Sequence, residues 1–296
     1  MAPARLATRD DYEAFVDRHD TFLFDCDGVI WRGNTAIDNV PATLDMLRKR
    51  GKRLVFVTNN SATSRKDYVA KFAKLGMEAS VDEIFSSAYA TAVYLRDVVG
   101  FAADKKAYVI GGSGIRNELE DVGISTAGQD DSASISLATL SDVEPSSDIG
   151  AVVFGIDYDI SYRKLAHAHV NLAHNADCLF IATNDDRTLP GGKLMYPGTG
   201  ALLSSLIHST QRTPLVMGKP NTPMLDCVMQ KFRLDPGRSC MVGDRLDTDI
   251  QFGIKGGVST LCVLTGVADE ASILSPSEPQ ATYYMSSLGN LSELAQ

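Results

Sequence analysis

The sequence predicts an α/β fold: a Rossmann-like core of parallel strands with a second α/β domain inserted into it. Three observations predict it. Short apolar, β-branched or aromatic runs alternate with amphipathic stretches at helical spacing, the order that belongs to parallel sheets covered by helices. The pattern restarts near residue 101 and resumes near 214. Several of the runs end in carboxylates, hydroxyls or a lysine, at the end of the strand where open α/β sheets bind ligands.

A helix is expected over 10–18 and a strand over 22–24, running into Asp25, Cys26, Asp27 and Gly28. Residues two apart in an extended segment point the same way, so Asp25 and Asp27 face one site and Cys26 faces away, into the core. Carboxylates bury badly unless they are used. One of the pair suits a nucleophile or metal ligand and the other a general acid/base. Gly28 allows a sharp turn and a close approach to an anion. Taken alone, these four residues are equally compatible with a polar loop after a core strand.

The next helix spans 38–50, with Pro41 in its first turn and Gly51 at its end. A strand over 53–57 ends in Thr58, Asn59, Asn60 and Ser61. Ser64 and Asp67 form the pattern of a capping box for a helix that stops at Gly76. A further helix covers 88–98. After the restart come a strand over 106–110, a helix to about 121 behind Gly111-Gly112-Ser113-Gly114, and a polar, weakly structured segment over 129–147. Then follow a strand over 151–155, a helix over 162–174, a strand over 178–182, a loop over 183–197 and a helix over 199–208. The first pattern resumes with a strand over 215–217 that ends in Gly218-Lys219-Pro220 and a helix over 222–232. A strand over 239–242 runs into Gly243-Asp244 and on to Asp249. A strand over 258–264, then a last strand and helix, close the chain. The expected domains are 1–100 with 213–296 as the core and 101–212 as the insertion.

If those strands are parallel neighbours, Asp25, Asp27, Thr58, Lys219, Asp244 and Asp249 meet at one edge of the sheet. Such a set of acids calls for a cation, and Mg²⁺ fits: hard, octahedral and held by one or two carboxylates plus substrate phosphate.

In the order and spacing of these motifs the chain resembles the haloacid dehalogenase superfamily of phosphatases. More narrowly it resembles the eukaryotic 4-nitrophenylphosphatase, phosphoglycolate phosphatase and pyridoxal phosphate phosphatase group. The stretches carrying this are Asp25–Gly28, 58–61, Pro197-Gly198-Thr199-Gly200, Gly218-Lys219-Pro220 and 242–246. The resemblance implies that Asp25 attacks phosphorus to form an aspartyl phosphate and that Asp27 is the general acid/base. It implies that Asp25, Asp244 and the Asp27 backbone carbonyl hold Mg²⁺, and that Asp249 orients that shell. It further implies that Thr58 and the amides near Asn59 and Asn60 hold the phosphoryl oxygens, and that Lys219 offsets negative charge. Dehalogenases in this superfamily lack an acid at the Asp27 position, so the reaction expected is phosphate ester hydrolysis.

The inserted domain is implied to be a cap whose loop carrying Asn184, Asp185, Asp186, Arg187, Thr188, Leu189 and Pro190 reads the leaving group. The vitamin B6 phosphatases have a histidine where Leu189 stands, so a small phosphorylated acid such as 2-phosphoglycolate is expected, with pyridoxal 5'-phosphate as the alternative. A homodimer through the cap is also implied. Two other classes compete: a catalytically silent binding protein on the same fold, and a phosphotransferase or mutase.

The composition is that of a soluble globular protein. The 296 residues are 44% hydrophobic and 22% charged, with no apolar run near the ~20 residues of a membrane span. Met1 to Asp11 lacks an apolar signal core, so a cytoplasmic protein is expected. The net charge of −9 argues against a nucleic-acid binder, which needs a basic face. The five cysteines are scattered and fit reduced core thiols. His167 and His169 point to different sides of one helix and make no zinc site. Gly111–Gly114 fits a tight strand–helix turn better than a dinucleotide loop or a serine nucleophile elbow. Trp31 and Arg32 fit either plain loop packing or a place lining the cleft under the cap.

Overall fold

A computed structural model describes residues 2–129, 131, 135–191 and 194–295. It is an α/β protein in two compact units. The first holds the residues up to Thr58, Lys66–Phe85 and the chain from Lys219 onward; the second holds Asn59–Arg65 and Ser86–Gly218.

The first unit is built on a seven-stranded sheet in the order Ala4–Arg5, Tyr283–Met285, Ser259–Val263, Ser239–Gly243, Thr21–Phe24, Arg53–Thr58, Ile84–Ser86. The pairings from Ala4–Arg5 through Arg53–Thr58 are all parallel. Strands of this kind are covered on both faces, which is why Phe22, Leu23 and Phe24 are all fully buried rather than alternating. Phe24 pairs with Val242 on one side and Phe56 on the other. That register brings the ends of three strands, and so Asp25, Thr58 and Asp244, to one level.

The helices around this sheet follow their sequence signals. Arg9–Arg18 starts on a capping box between Thr8 and Asp11. Val40–Lys49 takes Pro41 in its first turn, and Gly51 ends it in the left-handed region at φ 71°. Phe22, Phe24, Phe56, Phe72 and Trp31 form a chain of ring contacts through the core beneath the Asp25 loop. Trp31 is fully buried among Tyr68, Phe72 and the Lys71 ammonium, so it packs the loop.

The second unit has a five-stranded parallel sheet in the order Leu215–Val216, Leu179–Ala182, Ile149–Phe154, Lys106–Ile110, Ser125–Ala127. Its main helices are Ser113–Asp121, Tyr162–His174 and Thr199–Thr210. The turn at Gly111–Gly114 is the expected strand–helix junction. Gly112 and Gly114 are required there because a Cβ on either would lie 2.9 Å or less from the backbone of Ala62 or Thr63.

Several elements differ from the sequence expectation. The strand Leu215–Val216 pairs with Ile181 and Ala182 in the second sheet, so the first pattern resumes at Lys219 rather than at 213. A two-residue strand carries no signal of which sheet it joins. The expected loop over 183–197 contains an antiparallel hairpin, Thr188–Gly191 with Leu194–Pro197; positions 192 and 193 lie outside the described residues. A proline in each strand and a glycine in the first hid it. The edge strand Ile84–Ser86 and the short pair Trp31–Arg32 with Thr35–Ala36 are further elements too brief to show a period. The helix expected over 88–98 is Ser87–Val93 continued by a π-helical turn, Tyr94–Val99. Within 129–147, Leu137–Asp142 forms a 3-10 helix, and positions 130 and 132–134 lie outside the described residues.

Among the described residues no helix is long and apolar enough to cross a membrane. All five cysteines are buried, and none is in a disulfide.

Candidate active site

Asp25 leaves the strand Thr21–Phe24 with its N–H donating to Val242 O at 2.9 Å, which holds it to the neighbouring strand. Its carboxylate meets Lys219, whose Nζ donates to Asp25 Oδ1 at 2.7 Å, Asp249 Oδ1 at 2.8 Å and Val57 O at 2.8 Å. Three acceptors satisfy the three protons of an ammonium group. Lys219 is 1% exposed, and burial alone would lower its pKa. The two carboxylates, Asp249 foremost, outweigh that and raise it instead.

Asp249 is held by the chain at both oxygens. Oδ1 faces Lys219, and Oδ2 accepts from the Asp244 and Arg245 amides at 3.2 Å each. Gly243 makes this approach feasible, since a Cβ there would lie 2.1 Å from Asp249 Cβ.

Asp244 lies between two glycines. A Cβ on Gly28 would come within 2.5 Å of its Oδ2, and one on Gly266 within 1.7 Å. Gly28 also sits at φ 86°, where a side chain is strained. Oδ2 accepts from the Val267 N–H at 2.8 Å. Oδ1 is buried and has no hydrogen-bond partner. Asp25, Asp244 and Asp249 offer oxygens within 4.8 Å of one another, the one group of metal-binding type among the described residues.

Burial pushes the Asp25 carboxyl well above the usual carboxylate range; Lys219 opposes this, and Asp249 and Asp244 add to it. Asp244 is pushed up to about 7, first by burial and then by Asp249. A buried and a partly buried carboxyl with raised pKa values and one unpaired oxygen describe a place short of positive charge. Hard oxygen donors so arranged fit a divalent cation such as Mg²⁺.

Asp27 is exposed, and its Oδ1 accepts from Trp31 Nε1 at 2.9 Å. Cys26 between the two aspartates is fully buried in the core, as alternation requires, and its thiol is raised well above its ordinary value by burial and then by Asp25 and Asp27. Thr58 is 2% exposed at the end of Arg53–Thr58, its Oγ1 3.5 Å from the Tyr68 hydroxyl.

In the second unit the residues after Thr58 are tied down by the loop that follows Leu179–Ala182. Asn59 O accepts from Asn184 Nδ2 at 2.8 Å and from Ser87 Oγ at 2.7 Å. Asn59 Nδ2 donates to Asp186 Oδ2 at 3.3 Å, and Thr183 Oγ1 donates to Ser61 Oγ at 2.9 Å. Asn60 turns back on its own segment, its Oδ1 accepting from Ala62 N at 2.9 Å. Arg65 Nε and N both donate to the buried Glu118 carboxylate. Asn184 is 4% exposed, so its side chain is used inside the unit. Arg187 is exposed. Gly198 and Gly200 let the helix Thr199–Thr210 start against this loop; a Cβ on either would lie within 2.3 Å of the Asp186 or Asp185 carbonyl.

Sequence reasoning missed the loop Thr265-Gly266-Val267. Its signal is modest: a Thr-Gly pair just past the strand Ser259–Val263. Thr265 Oγ1 donates to Gly28 O at 2.6 Å, and Arg32 Nε donates to Thr265 O at 2.6 Å.

The chain matches a family model described as haloacid dehalogenase-like hydrolase over residues 22–125 and a second, HAD-hydrolase-like model over 216–291. It is 45% identical to phosphoglycolate phosphatase 2 of Arabidopsis thaliana, over 100% of this chain and 99% of that protein. It is 40% identical to the 4-nitrophenylphosphatase of Schizosaccharomyces pombe, over 98% of this chain and 99% of that one. Among solved structures it resembles a glycerol phosphate phosphatase of Mycobacterium tuberculosis in complex with magnesium. The TM-score is 0.79 at 27% identity, covering 95% of this chain and 79% of that one.

Proposed function

Since the chain belongs to the haloacid dehalogenase-like hydrolases, we propose that it is a Mg²⁺-dependent phosphatase of small phosphate monoesters working through a phosphorylated Asp25. The observation that carries this is the unpaired, buried Asp244 Oδ1 beside Asp25 and the Lys219 ammonium.

Asp25 and Asp244 carboxylates and the Asp27 carbonyl would hold the cation, with Asp249 orienting Lys219 and the start of the Asp244 loop. When bound, Mg²⁺ supplies positive charge against the phosphoryl oxygens. Asp25 attacks phosphorus, forming a P–O bond while the bond to the leaving oxygen breaks. Asp27, exposed beside it, gives its proton to that oxygen. In the second half Asp27 takes a proton from water, the water oxygen bonds to phosphorus, and Asp25 leaves as a carboxylate. Lys219 favours the ionised form of Asp25 and aims it, and Thr58 with the amides near Asn59 and Asn60 holds the phosphoryl oxygens. Phosphoryl transfer needs mainly such positioning and charge.

The substrate we favour is a small phosphorylated acid of the 2-phosphoglycolate kind. The identity to the Arabidopsis enzyme and Leu189 in place of a histidine support it over pyridoxal 5'-phosphate. Glycerol 3-phosphate is the second candidate, on the likeness to the mycobacterial structure. Initial rates with these three esters and 4-nitrophenyl phosphate, with Mg²⁺ and with EDTA, test the reading. Phosphate release that EDTA abolishes is expected, with 2-phosphoglycolate preferred. No release from any ester would favour a silent binding protein, and tenfold preference for pyridoxal 5'-phosphate would overturn the substrate. We also propose a cytoplasmic homodimer; gel filtration at the monomer mass would count against the dimer.

A further inference from the structure

We propose that Thr265 is a positioning residue that locks the Asp25–Gly28 turn to the Asp244 carboxylate and so sets the spacing of the two cation-binding acids. This deepens the phosphatase reading and rests on it. Asp25 and Asp244 lie on loops that leave different strands, and the Asp25–Lys219 contact does not fix the distance from Asp25 to Asp244. Gly28 does lie against Asp244, close enough that a Cβ would meet Oδ2 at 2.5 Å. The Asp244 carboxylate therefore sits where the Gly28 backbone lets it.

Gly28 is held at both backbone groups: its N–H donates to Trp31 O at 2.8 Å, and its carbonyl accepts from Thr265 Oγ1 at 2.6 Å. Two residues beyond Thr265, the Val267 N–H pins Asp244 Oδ2 at 2.8 Å, and the next amide, Ala268 N, donates to Asp244 O at 2.8 Å. One short loop thus grips Asp244 through its main chain and the Asp25 turn through a single hydroxyl. Arg32 Nε steadies that loop from the far side at Thr265 O. Removing the hydroxyl takes away the hydrogen bond from this loop to the Gly28 carbonyl, leaving Arg32 Nε on Thr265 O, and keeps every cation-binding residue in the chain.

The test uses Thr265→Val, which keeps shape and loses the donor, and Thr265→Ser, which keeps the donor. Mg²⁺ binding is followed by titration calorimetry and by the fluorescence of Trp31, the sole tryptophan, which touches Asp27. Thr265→Val is expected to weaken Mg²⁺ binding by about 10-fold or more, the usual effect of losing a group that orients a ligand. The Mg²⁺ concentration needed for half-maximal turnover should rise in parallel, and Thr265→Ser should restore both. If Thr265→Val fails to fold by circular dichroism, Thr265→Ala carries the same comparison. Wild-type affinity in a folded variant without the hydroxyl overturns the inference alone. Absence of Mg²⁺ binding by the wild type overturns the proposed function and the inference with it.

Discussion

Lys219 Nζ lies 2.7 Å from Asp25 Oδ1, although 194 residues separate them in the chain. The same ammonium reaches Asp249 Oδ1 and Val57 O, so one buried cation gathers the Asp25 loop, the Leu246–Ile250 turn and the end of the strand Arg53–Thr58. Truncating it would leave the buried Asp249 carboxylate and the partly buried Asp25 carboxylate without their shared cation. Lys219→Met is expected to cost about 3–5 kcal/mol of stability, the usual penalty for breaking a buried ion pair, together with activity. Urea unfolding measures it; a loss below about 1 kcal/mol would mean water replaces the ammonium without difficulty.

Asp25→Asn keeps the shape of the side chain and an oxygen for Lys219, but removes the attacking carboxylate. Turnover should fall by at least about 10⁴-fold with the far-ultraviolet circular dichroism unchanged. Substantial residual activity in the folded variant would move the nucleophile to another residue.

Gly266→Ala puts a methyl group 1.7 Å from Asp244 Oδ2. Either the carboxylate or the loop must move, and the Val267 N–H contact goes with it. A loss of about 10–100-fold in Mg²⁺ affinity or turnover is expected, read by calorimetry and by initial rates. An unchanged variant would show that the loop yields freely.

His19 is fully buried against Phe15, Phe22 and Tyr283, with Nδ1 bonded to Phe15 O and Nε2 unpartnered. Burial lowers its pKa; the Phe15 carbonyl opposes this, and the nearby Arg18, Arg238 and Lys52 charges lower it further. The unfolded chain therefore takes up the proton first as pH falls below about 6.5, and stability drops from that point downward. His19→Phe should lessen the fall in urea midpoint between about pH 7.5 and about pH 5.5. An identical fall in wild type and variant would assign the pH dependence to groups other than His19.

Much of the site was legible because its parts are local patterns. A buried strand running straight into polar groups is visible at Asp25, Thr58 and Asp244 without any partner strand. The helices Tyr162–His174 and Thr222–Phe232 carry their own period and appear with the bounds expected. The loop residue Asn184 was legible only as a polar residue near a strand end; its side chain bonds Asn59 O.

The sequence by itself determined the parallel α/β class, the identity of the acids and the lysine, and the turn at Gly28, because each depends on residues close in the chain. Tertiary structure decided which sheet Leu215–Val216 joins, that Lys219 bridges Asp25 to Asp249, and that Thr265, Gly266 and Val267 shape Asp244. Those are pairings between segments far apart in the chain. Their strength comes from burial and from hydrogen bonds whose partners no local window contains.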